Sequence, residues 1–101
     1  MANGTIGITV ISPLYIPDVF TPNGDGQNDQ WELRGLENYP EAQVLVFNRW
    51  GNLVFYGQGV SQKPFDGMGN GLLLSEGVYA YVIKTKPKGG FEFRGAVVII
   101  R

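Results

Sequence analysis

Gln43 to Tyr56 reads QVLVFNRWGNLVFY, two runs of β-branched and aromatic residues flanking Asn48-Arg49-Trp50-Gly51. Asn opens the turn and Gly stands where a left-handed residue is wanted, which is a hairpin signal. With Gly51 as the αL residue of a bulged turn, the spacing puts Val44, Val46, Val54 and Tyr56 on one face. Leu45, Phe47, Leu53 and Phe55 then share the other. Both faces are apolar, so the hairpin cannot be a ribbon with one wet side. It needs a core on one face and cover, or a partner, on the other. On this reading Phe47 is a core ring.

A chain of 101 residues is read as one domain spanning 1–101, able to bury roughly 60 to 70% of the surface its unfolded form exposes. It contains no cysteine and no histidine. Their absence removes disulfides, thiolate and imidazole metal sites, and Ser-His or Cys-His nucleophilic chemistry. The remaining residues point to a non-catalytic protein. A formal net charge of −1, with scattered basic residues, gives no footprint for nucleic acid. Fifteen glycines and six prolines favour short strands and many turns. No apolar run approaches the ~20 residues of a membrane helix, and Met1-Ala2-Asn3-Gly4 lacks the character of a secretion leader.

Along the chain, Thr5 to Ile11 alternates like a half-buried strand. Tyr15 to Phe20 is extended, but Pro17 lacks a backbone donor and places it at an edge or in an irregular strand. Trp31 to Arg34 reads as a short strand, and Leu36 to Ala42 as a connection with one helical turn before Pro40. Gly57 to Asn70 is a glycine-rich loop anchored by Phe65, ahead of a short apolar stop at Leu72 to Leu74. Val78 to Thr85 and Phe91 to Ile100 form the last two strands, the latter offering Phe91, Phe93, Val97 and Ile99 to one face. Matching their apolar faces requires the five-residue loop Lys86 to Gly90 and sets Lys84 opposite Glu92. The same register gathers Val78, Ala80, Val98 and Ile100 into an outward strip ending at Arg101. A monomer has no reason to expose such a strip: next to a strand at a sheet edge it suits a protein partner, the alternative being cover by a neighbouring loop or a preceding domain. About seven strands make the chain all-β, an immunoglobulin-like two-sheet β-sandwich.

One loop carries chemistry. Thr21 to Glu32 reads TPNGDGQNDQWE. Against a twelve-residue calcium loop, Asn23, Asp25 and Asp29 take the third, fifth and ninth positions, Gly26 the sixth and Glu32 the twelfth, with Gln27 lending a carbonyl. Thr21 replaces the usual first acid, and strands flank the loop where helices normally stand. The other reading makes Asn23, Asp25, Asn28 and Asp29 into Asx-turns that close the loop without metal. Calcium is the only cofactor the sequence raises, and none is required. Trp31 and Trp50 read as buried packing, the alternative being rings exposed for stacking on sugars. Asp66 reads as an acceptor for nearby backbone amides. The lysines at 84, 86 and 88 read as a solvated strand end.

The strings IPDVFTPNGDGQNDQW, ENYPEAQVLVFNRWGNLVF, FDG, GVYAYVI and GAVVIIR, in that order, closely resemble the gliding-motility-associated C-terminal domain family. These are the type B sorting domains of the type IX secretion system. The likeness runs from Ile16 to Arg101, with Phe65 standing where the family commonly has Trp. It implies the last piece of a longer adhesin or enzyme from a gliding-type Gram-negative bacterium. That piece would be recognised by an outer-membrane component of the secretion machinery and would carry its cargo through the periplasm and outer membrane to the cell surface or beyond. Two other readings stand beside it, a carbohydrate-binding sandwich and a calcium-stiffened adhesin spacer. They predict, in turn, an exposed aromatic platform and a metal-dependent melting temperature.

Overall fold

The structure is a computed structural model that describes residues 14–101 apart from Asp25, Val60, Ser61 and Asn70. The strand expected at Thr5 to Ile11 lies outside the described residues. The described chain is all-β, with seven strands: β1 Val19–Phe20, β2 Gln43–Phe47, β3 Leu53–Gln58, β4 Met68–Gly69, β5 Leu72–Leu73, β6 Gly77–Lys84 and β7 Glu92–Ile99. Five form one sheet in the order β1-β7-β6-β2-β3, while β4 and β5 pair as a small second sheet. A single 3-10 turn at Leu36–Asn38 precedes β2, where one helical turn was expected.

The second layer is mostly irregular chain. Isolated bridges join Tyr15 to Arg34 and Trp31 to Phe65, so the expected Trp31 to Arg34 strand is reduced to its two ends. Its core residues still arrive. Trp31 and Phe65 are buried with Phe20, Val44, Val46, Tyr79, Ile83, Val97 and Ile99, with Leu33 packed alongside. Phe65 sits 5.5 Å from the Phe20 ring and 5.1 Å from Phe55, while Trp31 lies 5.2 Å from Tyr81. The indole N–H of Trp31 donates to the Pro17 carbonyl at 2.7 Å, so the large ring is buried without an orphan donor.

The β2–β3 hairpin forms as its sequence demands, up to one point. Asn48 accepts from the amides of Trp50 and Asn52 through Oδ1, and Gly51 takes φ 83°, the left-handed conformation a glycine adopts without strain. Beyond Leu53 the register shifts between Val46 and Phe47, giving the pairs Val46–Phe55, Leu45–Tyr56 and Val44–Gly57. This second irregularity, at Val54, moves one extra residue into β3 and turns the rest of the strand over. Phe55 therefore joins Val44 and Val46 over the core, and Tyr56 joins Leu45 and Phe47 outside, the reverse of the simple alternation. Phe47 is a half-buried outer-face ring, not a core ring.

The β6–β7 hairpin keeps the expected register, from Gly77–Ile99 through Val78–Val98 to Lys84–Glu92. The Glu92 carboxylate is held by the Arg94 guanidinium. Opposite Tyr81 stands Gly95, and a Cβ there would fall 2.7 Å from the Tyr81 ring. The missing side chain leaves room for the tyrosine to lie across the neighbouring strand. Two expectations fail at the ends of this sheet. Phe91 lies just before β7 and is exposed, and β7 is not an edge at its end. There β1 runs parallel to it, with the Val98 and Ile100 amides donating to the Asp18 and Phe20 carbonyls at 2.9 and 3.1 Å. The edge falls instead to the short segment after Pro17, as its missing donor requires.

Candidate functional site

The registers of β1, β7, β6, β2 and β3 fix what the outer face of the large sheet presents. Its first row reads Val19, Val98, Val78. The second reads Ala96, Ala80, Phe47, Leu53. In the third, Arg94 precedes Val82, Leu45 and Tyr56, and only the fourth turns polar, with Glu92, Lys84, Gln43 and Gln58. The expected strip therefore exists at Val78, Ala80 and Val98, with Ile100 following at the chain end. It is one corner of a wider surface that includes Leu45, Phe47, Val82 and Ala96. Val78 is 60% exposed, Tyr56 48% and Ile100 47%. Among the described residues no layer packs against this face. A groove runs along it past Phe47, Ala80 and Val82, with Arg49 at one end and Lys84 and Arg94 at the other.

Arg101 does something different from its four neighbours in the strip. Its guanidinium donates to the carbonyls of Leu74 (2.9 and 2.7 Å), Gly67 (3.0 Å) and Pro22 (3.1 Å), and its backbone N–H donates to Glu76 Oε1 at 2.8 Å. The planar fork ties together three loops at one end of the sandwich. The side chain is occupied within its own molecule. Sequence reading found the residue but not this role, because the three carbonyls lie in loops that no periodicity places.

The loop Thr21 to Glu32 is closed by Asp29. Its Oδ1 accepts from the amides of Asn23 (3.2 Å) and Gly24 (2.9 Å), and its Oδ2 from Gly26 (2.8 Å). Gly24, Gly26 and Asn28 all have positive φ, and the Thr21 amide donates to the Asn28 carbonyl at 2.8 Å. Asp29 thus closes the loop by reaching back three to six residues, a different pattern from the expected Asx-turns, which bond the amide two residues onward. Asp25 lies outside the described residues, and Asn23 and Gln27 both have partners. Glu32 is exposed. Among the described residues no group of three acids converges on a point where a metal ion could be held.

The remaining candidates divide. Asp66 Oδ1 accepts from the Met68 amide at 3.1 Å, the anchoring role expected of it. Trp31 is buried as expected, but Trp50 is 71% exposed. It stands at the tip of a tight turn, beyond the last cross-strand pair, where no neighbouring strand can cover it. The Arg49 guanidinium lies over its ring, 4.4 Å from the centroid. Of the titratable groups, Tyr81 stands out. Burial first, and the negative charge of Asp18 second, push its phenol above the ordinary value.

Residues 14–99 match the family model described as the CHU_C type IX secretion signal domain. A solved structure also matches, from a study of PorZ, an essential bacterial surface component of the type-IX secretion system of Porphyromonas gingivalis. The two are 18% identical with a TM-score of 0.54, over 87% of this chain and 11% of that one. At that identity the likeness is one of fold, and this chain spans about a tenth of the other's length. No curated protein matches the chain.

Proposed function

Since the chain belongs to the family of type IX secretion signal domains, we propose that it is the sorting module of a longer exported protein, docking through the outer face of its five-stranded sheet onto an outer-membrane component of that machinery. Being a secretion signal follows from the family. The docking face, the partner and the final position of the cargo at the cell surface are our reading. The observation that carries it is a sheet with one apolar face spent on the core and a second that no described residue covers. Exposed contiguous apolar surface of this kind is a usual mark of a protein contact.

The carbohydrate reading has one observation in its favour, the exposed Trp50 ring. Arg49 covers one side of that ring, and the other exposed aromatics, such as Tyr15 and Phe91, lie away from the hairpin tip. A calcium-stiffened spacer draws less support, because the Asp29 carboxylate is already engaged by three amides.

The deciding experiment fuses the domain behind a soluble reporter in a gliding host. Val98→Lys with Ile100→Lys should leave the dichroism spectrum unchanged yet hold the reporter in the periplasm. Normal export of that folded double variant would remove this face from the mechanism.

A further inference from the structure

The groove on the outer face has a charge that the protein as a whole does not. The chain carries a formal net charge of −1, yet the groove is lined by Arg49, Lys84 and Arg94 and by no aspartate or glutamate. Glu92, across the strand pair from Lys84, is held by Arg94. Among the described residues no carboxylate pairs with Arg49 or Lys84. Between these two cations lie two apolar rows, Leu45 with Val82 and Phe47 with Ala80. Four strand positions separate Lys84's row from that of Phe47, about 13 Å at ~3.3 Å per residue, and Arg49 stands two residues further on, in the hairpin turn.

From this spacing we infer that the groove takes an extended, acidic segment of the partner protein, with carboxylates about six residues apart and apolar side chains between them. The inference rests on the docking face proposed above and adds the chemistry of its partner. Apolar side chains of the segment would lie on the Phe47 and Leu45 rows. The carboxylates would meet Arg49 at the hairpin tip and Lys84 at the far end, where a guanidinium and an ammonium steer an acidic strand and fix its register. A basic segment would be repelled at both ends of the groove, which gives the face selectivity as well as grip.

The test uses the full chain and a synthetic heptapeptide with glutamate at both ends, valine at its third and fifth positions, and threonine elsewhere. In a titration followed by amide chemical shifts, the probe should move Leu45, Phe47, Ala80 and Val82 and leave Val44, Val46 and Ile83 in place. Binding should weaken with added salt, fall at least tenfold in folded Arg49→Glu/Lys84→Glu, and vanish when lysine replaces the two glutamates of the probe. No shift at millimolar probe, or equal binding of the lysine version, would overturn the inference. So would charge-dependent binding to phosphatidylglycerol vesicles without binding of the peptide, because the face would then belong to a membrane. The reporter fusion separates this inference from the sorting reading. Export by the parent domain and equally by the double reversal would sink the groove and leave the sorting role intact. A parent fusion that stayed inside the cell while the peptide still bound would sink the sorting role alone.

Discussion

The two faces of the five-stranded sheet are built from the same vocabulary and put to different ends. Inside, Val44, Val46, Ile83, Val97 and Ile99 are sealed beneath Trp31 and Phe65. Outside, Val78, Ala80, Phe47 and Val82 alternate with them along the same strands, and nothing among the described residues lies on top. Alternation therefore identifies a strand without identifying its core face when both sets are apolar. What separates them is the second layer, which among the described residues reaches only the inner face. Among the described residues, apolar side chains on the outer face stay exposed or half-buried and so gain little from the fold they belong to.

The sharpest way to test this contrast is to remove one ring from each side. Phe65→Ala should cost about 3 to 5 kcal/mol, because a buried aromatic leaves a cavity its neighbours cannot close. Phe47→Ala should cost only about 1 kcal/mol, the scale of a cross-strand contact. Denaturant melts of the two variants would read the difference directly, and equal losses would mean that the outer face is covered after all.

A second comparison adds one heavy atom in place of removing a ring. Gly95→Ala pushes a Cβ into Tyr81 and should destabilise by about 1 to 3 kcal/mol. On the next residue, which faces outward, Ala96→Ser should change stability by less than about 0.5 kcal/mol. A neutral Gly95→Ala would show that Tyr81 is free to leave the inner layer.

Alkaline pH gives a smaller signal from the same ring. The Tyr81 phenol has its pKa raised in the fold, so its contribution is complete below the pKa of the unfolded chain and is lost as pH rises through the raised folded value. The melting temperature should fall above about pH 10, and Tyr81→Phe should flatten that fall. An unchanged alkaline slope in the variant would assign the loss to other groups.

The smallest expected effect lies at the end of the inner layer, where Asp29 closes its loop with three amides. Calcium at millimolar concentration should leave the melting temperature unchanged, while Asp29→Ala should lower it by the equivalent of about 1 kcal/mol through the lost acceptor. A calcium-dependent rise abolished by Asp29→Ala would restore the metal reading of the loop.

Much of this contrast was legible in advance, and the misses have physical causes. Asn48 and Gly51 announced the hairpin because only a few residue types tolerate its turn, and the apolar faces of β6 and β7 fixed their pairing. The inversion of β3 was invisible because the irregularity at Val54 needs no glycine and leaves no mark in an apolar run. The β4–β5 hairpin escaped notice because Leu72 and Leu73 are both 69% exposed, giving no alternation to read. Trp50 defeated the expectation that large rings are buried, since its place in the turn overrides its area. On the outer face, Val78, Ala80 and Val98 were visible from one hairpin alone. Leu45, Phe47, Val82 and Ala96 became part of the same surface only once β2 was found beside β6.

The Arg101 fork also bears on when this signal comes into being. Its reach back to Pro22 closes a separation of 79 residues, the same span that the β1–β7 ladder crosses between Val19 and Val98. Contacts so distant along the chain form late, because loop closure is paid for before they return anything. A chain emerging from synthesis or from an inner-membrane pore can assemble the β2–β3 hairpin from local sequence alone. It cannot seat β1 or tie the three loops until Val98 to Arg101 are free. The outer face at Val19 and Val98 is thereby completed only when both ends of the fold are available, however early its hydrophobic strands come into view.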